Sequence, residues 1–223
     1  MLTTKLITGA TNSYKLLVKN LFKILLHFLW PVNCPVCGRS SVFICESCIE
    51  SLFWESKITR KLDSLIIYSA AYYHTDINKI ILEFKYSGLK SLCRPIGRAM
   101  GKFLTRPEDI DYLLPVPLHL NSPRKYNQAH ELALGLADTW KIKILDCACW
   151  SREIAARAGM NAQERAKLDK DSFIITGDIN GLRIALVDDV CTTGITLMRL
   201  AEVCRDSGAI VKYAYTLATV TGT

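Results

Sequence analysis

Residues 184–196 read IALVDDVCTTGIT. Four apolar residues, Ile184 to Val187, predict a buried strand, and the strand runs straight into two adjacent carboxylates, Asp188 and Asp189. The segment that follows is small and polar: Cys191, Thr192, Thr193, Gly194, Ile195 and Thr196. It leads into ITLMRLAEVCRDSGA, residues 195–209, which has helical periodicity and Gly208 at its C-terminal end. In open parallel sheets, ligands bind beyond the carboxyl ends of the strands. Here the backbone N–H groups of the turn, the threonine hydroxyls and the helix N-terminus make a phosphate cradle. Gly194 lets the backbone turn and approach an anion with no Cβ in the way. The two carboxylates suit sugar hydroxyls, a Mg²⁺ shell, or both. The plain alternative is that the aspartates cap the turn and the threonines cap the helix. A P-loop is disfavoured, because the chain has no G-x-x-x-x-G-K-[ST].

Working outward, strands alternate with helices. Residues 62–74 (LDSLIIYSAAYYH) read as a strand or hairpin, 110–116 as a strand ended by prolines, and 141–150 and 211–220 as further strands. Residues 76–86, 94–104 and 128–140 read as helices. The expected fold class is α/β, a mostly parallel sheet with helices on both faces. The 223 residues suit one such domain with a small appendage, and the net charge of +7 favours anionic partners without saying which.

The appendage is marked by cysteine. Nine cysteines are present, and four of them, Cys34, Cys37, Cys45 and Cys48, form a C-x₂-C-x₇-C-x₂-C knuckle. Two such pairs on tight turns converge four thiolates on one tetrahedral Zn²⁺, a closed structural site. The other five are scattered through apolar segments, a pattern of a reducing cytosol. Residues 15–30 are a Leu- and Phe-rich amphipathic segment, with Lys15, Lys19, Asn20, Lys23 and His27 on one helical stripe. They read as a helix docked on the body, or as one resting on a membrane surface, and they are too interrupted to span a membrane. The expected division is residues 1–30, an amphipathic segment; 31–55, the zinc knuckle; and 56–223, the main domain.

The 184–196 stretch resembles the phosphoribosyl-diphosphate (PRPP) motif of type I phosphoribosyltransferases, apolar-apolar-Asp-Asp-Val-x-Thr-Thr-Gly-x-Thr, at every defining position. With a four-cysteine knuckle ahead of it, the chain resembles the ComF family (ComFC and GntX-like proteins). FKYSG (84–88), LLPVPLH (113–119) and RKYNQAHELA (124–133) resemble further family elements. The resemblance implies a type I phosphoribosyltransferase-like fold over most of the chain. It also implies that Asp188 and Asp189 hold ribose hydroxyls, and that residues 192–196 hold the 5′-phosphate, with Cys191 counted among the PRPP contacts. Lys85 and Arg124 become candidate contacts to the phosphates, and Mg²⁺ is expected on the diphosphate. The chain departs from the family pattern at Lys125 and within 157–173, where Arg157, Met160 and Leu168 stand. Those departures fall on the side of the second substrate. Two functions follow: transfer of phosphoribosyl from PRPP to an acceptor, or an accessory role in DNA uptake. The accessory protein would bind single-stranded DNA or a phosphorylated ligand, alongside DNA-uptake or recombination proteins in the cytoplasm.

Overall fold

The structure is a computed structural model, and it describes residues 33–40, 44–53, 58–85, 90–119, 121–151 and 172–220. The expectations for residues 15–30 and 157–168, and for the Gly of FKYSG, lie outside the described residues. The chain divides into two compact units, Met1–Cys45 and Glu46–Thr223. In the first, a turn returns the Arg39 carbonyl to the Cys34 amide (2.8 Å), and Gly38 closes it at φ 72°.

The second unit runs α1 (Glu46–Leu52), β1 (Ile58–Leu62), β2 (Leu65–Tyr72), α2 (Thr75–Lys85), α3 (Lys90–Phe103), β3 (Tyr112–Pro115), α4 (Gln128–Trp140), β4 (Lys143–Ile144), β5 (Ala148–Trp150), β6 (Phe173–Ile175), β7 (Arg183–Cys191), α5 (Ile195–Asp206) and β8 (Ile210–Thr219). Six strands form one sheet in the order β1-β2-β8-β7-β3-β4. Every pairing in it is parallel except the edge hairpin β1–β2. This is the expected α/β class with a mostly parallel sheet. The stretch 62–74 proves to be the second half of that hairpin.

The sheet is covered on both faces. On β8, Ala214 joins Leu197, Leu200 and Leu186 in the core under α5. Its neighbour Tyr215 must face the other way. That ring meets Trp140 of α4 edge-on at 4.8 Å, and its hydroxyl donates to the Thr105 carbonyl. Helices α3 and α4 approach each other at Gly97 and Gly135. A Cβ on Gly97 would meet the Leu132 carbonyl, and one on Gly135 would meet the Arg94 carbonyl.

Residues 141–150 are a correction. They were expected to form one strand, and they form two in different sheets. Leu145 gives its amide to Leu113 in the main sheet, and after the exposed Asp146 the chain leaves it. The segment then pairs antiparallel with Phe173–Ile175, from Ala148↔Ile175 to Trp150↔Phe173. A break after two paired residues has no signature in hydrophobic periodicity, because both halves remain apolar.

Candidate functional site

The two central neighbours β3 and β7 send the chain in opposite directions. From β3 it passes through α4 to β4 on one side, and from β7 through α5 to β8 on the other. The carboxyl ends of such a pair form a topological switch point, where doubly wound sheets bind ligands. A cavity of about 360 Å³ opens there, lined by Val116, His119, Arg124, Trp150, Asp188, Asp189 and Thr196 among others.

The strand does not end on its aspartates. β7 continues to Cys191, paired with β8 as far as Cys191↔Thr219. What ends is β3. Its last pair is Pro115↔Val187, and the Val116 amide makes the final bond to the Val187 carbonyl at 2.8 Å. Pro117, with no N–H, cannot extend the ladder. Asp188 and Asp189 therefore stand on a β7 edge that has lost its β3 neighbour. The Asp189 amide, which faces that side, is taken by the Asp188 carboxylate at 2.8 Å.

Adjacent strand residues point to opposite faces, so the pair is split. Asp188 lies on the α5 face. Asp189 lies on the other, where its Oδ2 is 3.2 Å from the Lys85 ammonium at the end of α2. That approach lacks hydrogen-bond geometry, and Asp189 Oδ2 is a buried oxygen with no hydrogen-bond donor among the described residues. Such an atom is rare unless a ligand completes it. Lys85 was expected to reach a diphosphate; here it faces Asp189.

Desolvation at the strand end, followed by the charge of Asp189, raises the Asp188 carboxyl well above the ordinary carboxylate range. The sign follows from linkage. The folded state holds this proton more tightly than the unfolded chain, so folding stability falls as pH rises above about 4. Asp188→Asn, which keeps an acceptor for the Asp189 amide, is expected to be more stable than wild type at pH 8. The gain is on the order of 1–2 kcal/mol, or about 2–8 °C in melting temperature. The advantage should vanish by about pH 3.5, where both forms of the chain carry a neutral group. Thermal melts at the two pH values check this, and an Asn variant less stable at pH 8 would contradict it.

The loop after β7 is built from both sides. Gly194 is the N-cap of α5 at φ 82°, ψ 0°, with no side-chain cap bond. The Ile195 amide reaches Thr193 Oγ1 only at 3.4 Å, and the first intrahelical bond is Met198 to Gly194 at 2.9 Å. The helix start is thus left with N–H groups available to an anion. Thr192 and Thr193 are exposed, whereas Cys191 is buried at 1% and belongs to the core. Burial pushes its thiol up. Of the expected loop contacts, Cys191 is therefore the one whose side chain faces inward, and only Thr196 lines the cavity. The structure adds a second reason for Gly194. A Cβ there would meet Leu62 of β1, with Ile67 behind it.

Arg124 sits on the β3–α4 loop at the cavity wall, its Nη1 bonded to Gln128 Oε1 at 3.2 Å. Asn127 caps α4, accepting from Ala129 and His130, and its Nδ2 donates to the Val116 carbonyl at 2.9 Å. Tyr126 and Gln128 both donate to the Phe84 carbonyl, so these three residues start a helix and tie it to β3 and α2. Two wall residues had no sequence signal. Trp150 donates to the Pro117 carbonyl at 2.7 Å, and His119 tilts against its ring at 5.0 Å. Arg60 of β1 is the third unforeseen residue, with Nη1 2.7 Å from the Thr192 carbonyl.

The four knuckle thiols, Cys34, Cys37, Cys45 and Cys48, lie within 4.8 Å of one another. Cys37 and Cys45 are 3.6 Å apart and Cys45 and Cys34 are 3.8 Å apart, and none is in a disulfide. Burial opposes the Cys34 thiolate, but the amides of Cys37, Cys45 and Val36 outweigh it and lower its pKa. No helix among the described residues is long and apolar enough to cross a membrane.

No family model matches the chain. Competence protein ComFC of Streptococcus pneumoniae is 24% identical over 179 residues, covering 79% of this chain and 76% of the relative. Competence protein F of Haemophilus influenzae is 26% identical over 187 residues, covering 78% and 79%. The chain is similar to the ComF competence proteins. The alignments run through most of the ComF relatives' length as well as most of this chain. Among solved structures, a purine phosphoribosyltransferase from Pyrococcus horikoshii Ot3 matches 57% of this chain and 82% of its own, at 19% identity and a TM-score of 0.35.

Proposed function

We propose that this ComF-like chain binds PRPP, with Mg²⁺, at the switch point and acts in DNA uptake during natural transformation. The observation that carries the reading is the buried Asp189 Oδ2, ion-paired with Lys85 but without a hydrogen bond among the described residues, which lines one cavity with Arg124 and with Thr196 of the uncapped helix start. That arrangement supplies acceptors for sugar hydroxyls and donors for phosphate in a single place. Asp188 and Asp189 would accept from the ribose 2′- and 3′-hydroxyls, and the 192–196 amides would hold the 5′-phosphate. Lys85 and Arg124 would face the diphosphate, with Lys85 exchanging its Asp189 contact for the ligand. Mg²⁺ when bound would neutralise diphosphate charge and assist its departure. In a transfer reaction, an acceptor nucleophile bonds to ribose C1 as the C1–O bond breaks, and diphosphate leaves with the electron pair. The chain's part is to position the ribose and to stabilise the developing charges. The knuckle is read as a structural Zn²⁺ site, and the free thiols as those of a protein of the reducing cytosol.

Asp189→Asn is expected to weaken PRPP binding roughly ten- to a hundredfold, the loss of a charge-assisted hydrogen bond. Its melting temperature should stay near that of wild type. Calorimetric titration of both proteins with PRPP and Mg²⁺ is the test. Wild type that fails to bind millimolar PRPP would sink the reading.

A second reading, single-stranded DNA binding, has one observation behind it. Lys90, Arg94, Arg98 and Lys102 are exposed at four-residue spacing along α3, one every ~6 Å. Three of them are already engaged, Lys90 with Glu131 and the two arginines with Asp138. Binding through this row should fall steeply with salt as counterions are released. Fluorescence titration with an oligonucleotide at 50 mM and 500 mM salt checks it. Unchanged affinity would rule out this row as the contact.

A further inference from the structure

We propose that Arg60, on the edge strand β1, is the positioning residue that sets the 191–196 loop to receive a phosphate. The proposal rests on the phosphoribosyl reading for the identity of the ligand, and not for the geometry.

Arg60 Nη1 donates to the Thr192 carbonyl at 2.7 Å. The peptide bonds here are trans. In a trans peptide, the carbonyl of one residue and the N–H of the next point in opposite directions. A guanidinium that holds the Thr192 carbonyl toward β1 therefore turns the Thr193 N–H away from β1. A free loop carbonyl would be able to flip, presenting an acceptor where the anion needs a donor.

The same strand props the loop a second time. Arg60 and Leu62 are two residues apart, so they share a face of β1. Leu62 Cδ1 occupies the space a Cβ on Gly194 would need, with Ile67 Cδ1 3.4 Å from that point. One strand face thus fixes the carbonyl at Thr192 and the left-handed turn at Gly194. The hairpin can do this because its register is tight. Leu62↔Leu65 is the last pair, and the connection is only Asp63 and Ser64, with Asp63 at φ 49°. Arg60 itself is paired with the fully buried Ile67.

Charge adds to the geometry. Among the described residues no carboxylate forms an ion pair with Arg60, so its charge is not neutralised beside the loop. The Cys191 thiol registers it: burial raises that pKa, and the Arg60 charge is the first influence opposing it. Arginine suits this place better than lysine, because its planar fork fixes the direction of the bond it donates.

Two measurements on the full chain decide the matter. The first is ¹⁵N relaxation of the ligand-free protein. Wild type should give order parameters near 0.85 at Thr192, Thr193 and Gly194, on the scale where flexible backbone falls below about 0.6. Arg60→Ala should bring those three below about 0.6 and leave β7 and α5 unchanged, with Arg60→Lys between the two. The second is titration with ribose 5-phosphate. Arg60→Ala should bind at least about tenfold more weakly than wild type, with partial recovery in Arg60→Lys and on adding free guanidinium at about 10 mM. Unchanged order parameters at 192–194 overturn the proposal. So does a loss of order spread through β7 and β8, which would make Arg60 merely structural, and so does wild-type affinity in Arg60→Ala. If wild type binds neither ribose 5-phosphate nor PRPP, the phosphoribosyl reading fails, and the relaxation data alone still decide whether Arg60 sets the loop.

Discussion

Gly194→Val is expected to cost about 2–5 kcal/mol of folding stability and to abolish PRPP binding. Two costs combine. A β-branched residue at φ 82° pays the left-handed penalty, about 1–2 kcal/mol. Its side chain must also displace Leu62, an overpacking that adds about 1–3 kcal/mol. The loop then moves off the helix start, and the amides that would hold phosphate go with it. Gly194→Ala should show the same effects at a smaller size, about 1–3 kcal/mol. The source of the cost can be separated by a double-mutant cycle. Trimming Leu62 to Ala in the Gly194→Ala background should recover roughly 1 kcal/mol beyond additivity. Strict additivity in chemical denaturation would show that Leu62 is not what the Cβ strikes. Valine at 194 with wild-type stability would refute the whole account.

That result separates what the sequence could convey from what it could not. The strand, the turn glycine and the following helix were legible because each leaves a local mark: four apolar residues, a small residue before a helical period, a glycine at the end. The purpose of Gly194 was only half legible. Its positive φ follows from the turn, but its crowding comes from Leu62 on a different strand, and nothing near 194 predicts that. Arg60 is the extreme case, because its bond to Thr192 spans 132 positions. It sits in ITRKL, where an alternating strand pattern gives no hint of which charged residue turns inward to a loop. Lys85 was named as a diphosphate contact, and its ion pair with Asp189 was not foreseen, since periodicity cannot show that α2 ends opposite Asp189. The split of Asp188 and Asp189 between two faces was implicit in strand alternation. Reading them as a strand terminus concealed it; the strand that ends there is β3, at the prolines 115 and 117.

The knuckle should hold about one Zn²⁺ per chain, and removing it should have the largest effect of any treatment on that part of the protein. Tetrahedral coordination with Zn–S near 2.3 Å places sulfurs about 3.8 Å apart. The spacings of 3.6 and 3.8 Å between Cys45 and its partners already match. Four thiols within 4.8 Å of one another and without disulfides are a donor set for a soft, tetrahedral ion, and a closed one that leaves no position for water. Structural zinc in small sites contributes on the order of 10 kcal/mol of apparent binding energy near neutral pH. A segment this short has little core to replace it. Elemental analysis of protein purified without chelator should return close to one equivalent, and less than about a tenth would refute the assignment. Cys45→Ser should lose the metal and expose the remaining thiols to a colorimetric thiol reagent. PRPP affinity should stay within about threefold of wild type, because no knuckle cysteine lines the cavity that holds Asp188, Asp189 and Arg124. The metal is bound through thiolates, so its affinity should fall as pH drops and protons compete for sulfur. A knuckle that kept its zinc unchanged at pH 4 would not be the four-thiolate site described.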